Sequence, residues 1–241
     1  MLQISRKVFN VPFNQVYFQE AKYESRYEPE IVYYTHVLKP SRKLQGQITL
    51  HIDLRNEPAL DNLMNIWEGK QIENWMISRF DSPTDQEIEE FQGFYNKSAK
   101  GKNTRTITKF DVQTLKLLRD QGGLVMTKIE NEQMESICYR VYVVGKEIVM
   151  AIFNDGQGLQ NDQIKQSANY LLCWENMKHF GNKGIKIYDF GDIKDLTFLE
   201  KLKHNFGGQM VTVFSGYKSN SLFSQMLLQF NFKRFKKRLS F

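Results

Sequence analysis

The sequence has few of the residues that cross-link or interrupt a fold. Two cysteines, Cys138 and Cys173, occur in 241 residues. Two cysteines do not make a disulfide framework, and a cysteine content this low is typical of proteins from a reducing compartment. We therefore expect both residues to be small buried apolar side chains rather than partners in a bridge.

Long apolar runs are also missing. No stretch approaches the roughly 18 consecutive apolar residues that a transmembrane helix requires. The first nine residues carry two positive charges but lack the apolar segment of a signal peptide. Together these absences predict a soluble cytoplasmic protein.

Proline is confined to the beginning of the chain. All five prolines lie within the first 83 residues, at positions 12, 29, 40, 58 and 83. Proline fixes φ and interrupts both helices and β-ladders. Residues 1–44 are therefore predicted to be an irregular extension packed on the domain, with short strands such as residues 31–37. Long regular elements are expected beyond residue 83.

The positive charge is concentrated at the other end of the chain. Of the formal net charge of +6, five cations fall within six residues: Lys233, Arg234, Lys236, Lys237 and Arg238. Apolar residues recur around them, so residues 219–241 are predicted to be a basic amphipathic helix. Such a helix either docks on the domain with a solvated basic end, or contacts an anionic membrane surface or tRNA phosphates.

Hydrophobic periodicity predicts the elements between these two ends. Period-two alternation indicates strands, and spacings of three and four indicate helices. Strands are expected at residues 48–54, 124–129, 136–144, 147–153, 185–190 and 210–214, and helices at residues 61–80, 85–97, 111–121, 163–180 and 196–205. This order predicts an α/β domain with a mixed, mostly antiparallel central sheet and helices on both faces.

Three motifs in the last third of the chain carry a resemblance. They are NYLLCWE at residues 169–175, GIKIYDFG at 184–191 and LKHNFGG at 202–208. Their order and spacing resemble the signature of the FemAB-like branch of the GNAT-fold acyltransferases. The resemblance covers residues 45–218, where it implies one GNAT-like domain, whereas FemAB proteins carry two. Asp192 and Leu202 replace the glycine and phenylalanine that are usual in the motifs.

The resemblance implies a site for acyl-CoA between two splayed parallel strands, here residues 147–153 and 185–189. The loop containing Gly156 and Gly158 leads into the next helix, and Ser167 and Asn169 lie in its first turns. A helix N-terminus suits a pyrophosphate because its N–H groups are unpaired and its dipole is positive. A plain surface turn is the alternative for the two glycines.

Two further residues are candidates for the chemistry. By the resemblance, Asp189 orients an amine or takes part in proton transfer, and Lys203 stabilises negative charge on the transferring carbonyl or on a phosphate. The alternatives are a carboxylate that caps backbone N–H groups and a solvated helix lysine. The four histidines, at positions 36, 51, 179 and 204, are scattered and show no metal-ligand spacing, so no metal is predicted.

The resemblance therefore predicts an N-acyltransferase that uses acyl-CoA and an amine acceptor, such as an amino sugar or a cell-envelope precursor. Two alternatives remain open. One is an aminoacyl-tRNA-dependent transferase of the FemAB-like kind, and the other is a non-catalytic GNAT-like binding module. A cytoplasmic location, with the basic tail at the inner face of the membrane, is compatible with each.

Overall fold

The computed structural model describes residues 1–8, 10–18, 31–39, 44–55, 75–101, 104–154, 163–193 and 195–230. The strands are β1 (Leu2–Val8), β2 (Val11–Tyr17), β3 (Ile31–Val37), β4 (Gln45–Asp53), β5 (Met76–Phe80), β6 (Leu124–Glu130), β7 (Ser136–Val144), β8 (Ile148–Asn154), β9 (Ile187–Asp189) and β10 (Gln209–Ser219). The helices are α1 (Asp85–Gly101), α2 (Lys109–Asp120), α3 (Gln163–Asn182), α4 (Leu196–Phe206) and α5 (Leu222–Phe230).

All of these strands belong to one sheet, in the order β1-β2-β3-β10-β4-β9-β8-β7-β6-β5. Two neighbouring pairs, β2–β3 and β8–β9, are parallel, and the other pairs are antiparallel. The last strand in the chain, β10, lies between β3 and β4. The prediction of a mixed, mostly antiparallel sheet flanked by helices is confirmed.

Each face of the sheet is covered by a different set of helices. We call the side under α1 and α2 the front face, where Ile88, Leu115 and Leu118 pack against Met126 and Val141. On the back face, α3 and α4 pack through apolar side chains against β9. The residues of this back-face contact include Met177, Phe180, Leu199, Phe206, Tyr188 and Phe190. Because side chains alternate along a strand, Asp189 points to the front face.

Both helices on the front face begin at a capping box. The Thr108 side chain accepts from the Asp111 N–H, and the Asp111 carboxylate accepts from the Thr108 N–H. Thr84 and Glu87 exchange the same pair of bonds at the start of α1. Each box satisfies backbone N–H groups that have no partner within the helix. Thr84 is therefore the residue that caps the start of α1.

Two expectations for the N-terminal third are wrong. Residues 1–44 were expected to be an irregular extension with short strands such as residues 31–37; that strand is confirmed as β3, but β1 and β2 were not expected, and all three belong to the common sheet. Pro12 is compatible with β2 because it is the second residue of that strand and is exposed. Met76–Phe80, expected at the end of a helix, pairs with β6 as the edge strand β5. The division of the chain at residues 44 and 218 stays a prediction.

Cys138 and Cys173 are both buried, as expected, and neither forms a disulfide within the described residues. The helix predicted at residues 219–241 begins later, as α5 at Leu222–Phe230, because Ser219 still belongs to β10; the five clustered cations at residues 233–238 lie outside the described residues. Among the helices of the described ranges, none has the length and apolar character needed to cross a membrane.

Candidate functional site

A buried carboxylate lies where the parallel pair of strands ends. Asp189 is the last residue of β9, and its side chain is fully buried. The β8–β9 pairing runs from Ile148 opposite Ile187 to Met150 opposite Asp189, and β8 continues to Asn154, where it still pairs with β7. On the other side of β9, His51 of β4 lies opposite Asp189. The predicted parallel strands are therefore present, with Asp189 at the end of their shared ladder.

Four groups surround the Asp189 carboxylate. His36 Nδ1 lies 2.6 Å from Oδ2, and the Thr49 hydroxyl donates to Oδ1 at 2.5 Å. The Gly191 backbone N–H also donates to Oδ1, at 2.8 Å. His51 Nε2 lies 3.3 Å from Oδ2, within ion-pair distance but without good hydrogen-bond alignment. Both interpretations of Asp189 thus have a structural basis, because the carboxylate caps a backbone N–H and also holds two imidazoles.

His36 reaches this carboxylate from an unusual backbone conformation. Its φ of 54° lies in the left-handed region, and β3 and β10 change register beside it between Phe214 and Gly216. The His36 N–H donates to the Ser215 hydroxyl at 3.1 Å. A non-glycine residue with positive φ is strained, and such strain persists where the surroundings hold it in place.

Both ring nitrogens of His36 have partners. The Gln47 amide nitrogen of β4 lies 2.9 Å from His36 Nε2, and Nδ1 lies 2.6 Å from Asp189 Oδ2. The buried imidazole is therefore held in one orientation between Gln47 and Asp189.

The environment keeps Asp189 ionised. Burial raises the pKa of the carboxyl, but the charge and hydrogen bond of His36, together with those of His51, outweigh burial and hold the Asp189 pKa well below its usual range. A buried anion flanked by imidazoles can hold one imidazole in a chosen orientation and stabilise its protonated form. That arrangement suits proton transfer.

Two motif glycines are explained by close contacts around this site. Gly191 has a φ of 79°, and a Cβ there would lie 1.9 Å from the Ala151 carbonyl oxygen of β8. Gly208 has a φ of 91°, and a Cβ there would lie 2.5 Å from the His51 carbonyl oxygen. Only glycine fits either position, because backbone cannot move aside as a side chain can. These glycines keep the chain close to β8 and β4 on both sides of Asp189.

Of the other predicted site residues, those that the structure describes are not gathered around Asp189. Lys203 is exposed on α4, which packs on the back face, whereas the Asp189 side chain lies on the front. Ser167 and Asn169 are buried in α3. Gly156 and Gly158 lie outside the described residues. The roles predicted for these five residues remain predictions.

Asn169 holds a buried cation. Its Oδ1 accepts from Arg140 Nε at 3.0 Å, and Arg140 is almost completely buried on β7. The nearby Cys173, Tyr188 and Tyr142 raise the pKa of Arg140 against the opposing effect of burial. The Ser167 hydroxyl is buried and has no hydrogen-bond partner among the described residues. On the back face, the start of α3 therefore contributes the Ser167 hydroxyl, which has no partner among the described residues, and Asn169, which fixes the Arg140 cation of β7.

The histidines were missed as site residues. His51 had a signal, because the strand alternation at residues 48–54 places it on the same face as Thr49. His36 had none, because its position depends on the insertion of β10 and on a positive φ that no sequence pattern marks.

Comparisons with known proteins give the fold but no family. No family model matches the sequence, and no curated protein matches it either. Solved structures do match. L-PGS from Bacillus licheniformis has a TM-score of 0.53 at 11% identity over 87% of this chain and 73% of that one. The C-terminal domain of a putative lysylphosphatidylglycerol synthetase from Agrobacterium fabrum has a TM-score of 0.50 at 11% identity, over 82% and 70%.

A conserved protein of unknown function from Bacteroides thetaiotaomicron also has a TM-score of 0.50, at 10% identity, over 73% of this chain and 63% of that one. At such low identity the likeness concerns the fold alone. Membership of the FemAB-like branch stays a prediction. The chain is thus similar in fold to the GNAT-like proteins that its motifs resemble.

Proposed function

We propose that this protein is an N-acyltransferase that moves an acyl group from acyl-CoA to an amine. One observation carries the proposal: the buried Asp189 carboxylate lies between His36 and His51 at the end of the parallel β8–β9 pair. Transfer to an amine requires a group that takes the proton of the attacking nitrogen. A histidine oriented by a buried carboxylate is such a group.

His51 is the proton acceptor in this mechanism. Its side chain is 10% exposed, whereas the His36 and Asp189 side chains are 3% and 0% exposed. In the proposed mechanism Nε2 of His51, 3.3 Å from Asp189 Oδ2, carries the proton, and the other ring nitrogen carries the lone pair that takes the proton of the amine. Asp189 then stabilises the imidazolium. His36 has both nitrogens engaged and acts as a positioning residue that holds Asp189 in place.

Acyl-CoA supplies a thioester carbonyl carbon and a thiolate leaving group. As the amine nitrogen bonds to that carbon, the carbon–sulfur bond breaks, and the amine proton passes to His51. His51 returns a proton to the departing sulfur, so the enzyme regains its starting state. Lys203 is the proposed donor to negative charge that develops on the carbonyl oxygen.

The donor is proposed to bind beside the β8–β9 ladder. In the described residues the β8–β9 ladder stops at Met150 and Asp189, Gly191 still lies against Ala151, and β8 continues to Asn154, so the proposed donor edge is the part of β8 beyond Ala151. The unpartnered Ser167 hydroxyl in the early turns of α3 is a further group that fits a polar ligand. Gly156 and Gly158, just before α3, are proposed to complete the pyrophosphate site.

The acceptor is proposed to be an amino sugar or a peptide amine of a cell-envelope precursor, as in the FemAB-like branch. The enzyme would then work in the cytoplasm, with its basic C-terminal residues at the inner face of the membrane.

Titration calorimetry with acetyl-CoA, with CoA alone as the reference ligand, tests the donor. We expect one-site binding that is lost when Gly156 and Gly158 are both replaced by leucine. Replacement of the exposed Gly93 by leucine, at a position where a Cβ meets nothing within 4 Å, serves as the control for a general loss of folding. Absence of acetyl-CoA binding at millimolar ligand would rule out this donor, and aminoacyl-tRNA would be titrated next. Failure of both would leave the binding-module alternative.

A further inference from the structure

A second group of polar side chains is buried on the front face, in strands β1 to β3. Ten buried side-chain polar atoms have no hydrogen-bond partner in the part of the chain that the structure describes. Six of the ten belong to four neighbouring residues. They are Arg6 Nε and Nη2, both amide atoms of Gln15, the Tyr17 hydroxyl and the Thr35 hydroxyl. Buried polar groups are normally satisfied, so such a concentration indicates a missing polar occupant.

Strand register brings these side chains together. Ile4 of β1 lies opposite Gln15 of β2, and Arg6 follows Ile4 on the same face. In the parallel β2–β3 pair, Tyr17 lies beside Thr35. The four residues thus follow a diagonal across three adjacent strands, from Arg6 past Gln15 to Tyr17 and Thr35, and we call them the polar row.

The Arg6 guanidinium is held so that one edge stays unused. It lies 3.7 Å from the centroid of the Phe110 ring and 5.4 Å from that of Phe13. Its Nη1 donates to the Thr114 hydroxyl at 2.8 Å. The unused atoms, Nε and Nη2, are the two donors of the side-on fork that binds two oxygens of a carboxylate or phosphate.

The nearest charged partner on the same side is already occupied. Asp111 accepts two hydrogen bonds from Arg105 Nη2, at 2.7 and 2.9 Å, and another from the Thr108 hydroxyl. Asp111 acts on Arg6 through its charge but makes no hydrogen bond to it in the described structure. Arg6 is therefore a fixed cation with two donors that have no partner in the described residues.

We propose that Arg6, Gln15 and Tyr17 form a binding site for the anionic group of a ligand, a carboxylate or a phosphate. The fork of Arg6 takes two oxygens, and the Tyr17 hydroxyl and Gln15 amide donate to the same group. Burial lowers the pKa of Arg6 to about 10, so the guanidinium is a cation at neutral pH. Burial also raises the pKa of Tyr17, which keeps its hydroxyl a neutral donor.

Aromatic residues connect this site to the Asp189 cluster. The rings of Tyr33 and Tyr217 stack at 4.6 Å between centroids. Burial, and after it the charge of Asp192, raise the pKa of Tyr33 to about 12, so Tyr33 is close to the turn that follows Asp189. Thr35, at the end of the polar row, directly precedes His36. This step rests on the proposed function. The site binds the anionic group of the acceptor, and the amine of the same acceptor molecule reaches His51. The acceptor is therefore a molecule that carries both an anionic group and an amine.

Anion titrations in the absence of any acyl donor test the site. Inorganic phosphate and acetate, each at constant ionic strength, are added to the whole protein and followed by nuclear magnetic resonance. We expect saturable binding of one anion, weakened at least about tenfold by Arg6→Gln. The anion that binds more tightly identifies the group. Lys7→Gln removes the same charge from the next, exposed residue of β1 and should leave the affinity unchanged.

Tyr17→Phe separates binding from folding. The Tyr17 hydroxyl has no partner in the described structure, so its removal should keep or raise the free energy of unfolding while it weakens anion binding. Unchanged affinity in Tyr17→Phe and in folded Arg6→Gln, or no saturable binding of either anion to the native protein, would overturn the assignment and leave buried water as the occupant. If anions bind at this site but acetyl-CoA does not bind to the protein, the anion site is supported and acetyl-CoA is excluded as the donor.

Discussion

His36 Nδ1 lies 2.6 Å from Asp189 Oδ2, although 153 residues separate the two in the chain. Strands β10 and β4 lie between the strands that carry them. In a flat sheet, β3 and β9 would be about 14 Å apart, which is too far for these two side chains to meet. The front face is therefore concave here, and the contact spans the hollow. Loss of this contact should lower the free energy of unfolding and slow any reaction in which Asp189 takes part.

Asp189→Asn should lower the free energy of unfolding by about 3 kcal/mol. The substitution removes a buried charge from His36 and His51 and weakens the bonds from Thr49 and Gly191. Chemical denaturation followed by circular dichroism measures the change. Asp53→Asn, on β4, is the matched control, because Asp53 pairs with Arg55 at the surface and should matter little. An equal loss of unfolding free energy in the two variants would contradict a structural role for the contact between Asp189 and His36.

The stabilisation from Asp189 should depend on pH in a defined direction. Its folded pKa is lower than its unfolded one, so protonation favours the unfolded chain. The difference in unfolding free energy between the native protein and Asp189→Asn should be fully present above about pH 4. It should shrink as the pH falls further, towards the folded pKa. Denaturation curves of both proteins across the acidic range measure it, and a difference that stays constant would contradict the low pKa.

Gly191→Ala should destabilise the protein by at least about 3 kcal/mol. The new Cβ would meet the Ala151 carbonyl oxygen at 1.9 Å, in a backbone with φ of 79°. Gly184 has nearly the same φ, 81°, but open space where its Cβ would be. Gly184→Ala should therefore cost only the backbone term, about 1 kcal/mol. Thermal melts of the pair measure the difference, and similar costs would mean that the close approach of Gly191 to β8 is unimportant.

His51→Gln should lower kcat/KM for acyl transfer by about 10² to 10⁴. The glutamine keeps a polar group near Asp189 but cannot take a proton from an amine. His204→Gln, on the exposed side of α4, should leave transfer unchanged. Release of free thiol from acetyl-CoA in the presence of an amine measures both variants. Full activity in His51→Gln would show that a group other than His51 accepts the proton from the amine.

Lys203→Met should slow transfer by about 100-fold without a change in stability, if the lysine stabilises developing charge as the motif predicts. Lys203 lies on α4, on the opposite face of the sheet from the Asp189 side chain, so this variant tests whether a residue on the back face takes part in the reaction. Lys201→Met is the control, because Lys201 is exposed on the same helix. Equal rates for the two variants would show that Lys203 is a solvated helix lysine.

Most of the regular structure could be predicted because it follows from local periodicity. The strands around Gly145, the helices flanking β9 and β9 itself all carry clear patterns of two or of three and four. β3 was predicted, but β1 and β2 were missed because the prolines outweighed the pattern. β5 was missed because an edge strand is defined by its pairing with β6 rather than by its own residues. Asp189 was found because it ends a motif strand.

The partners of Asp189 could not be predicted in the same way. His51 meets Asp189 through the β4–β9 register, and His36 meets it through a bulge and the curvature of the sheet. Both relationships join segments more than 130 residues apart, and neither leaves a local pattern. The polar row of Arg6, Gln15 and Tyr17 was hidden for the same reason, since only strand pairing reveals that these residues are neighbours.

The position of β10 also determines the order in which the chain can be assembled. During synthesis β3 and β4 emerge early, but β10, which must pair with both, emerges more than 150 residues later. Until then the N-terminal three-strand unit has no ladder to join it to β4, so His36 and Asp189 cannot meet. Such distant pairings make folding slow. A nascent chain should therefore acquire its candidate catalytic cluster only in one late step, when β10 leaves the ribosome and joins the two parts of the sheet.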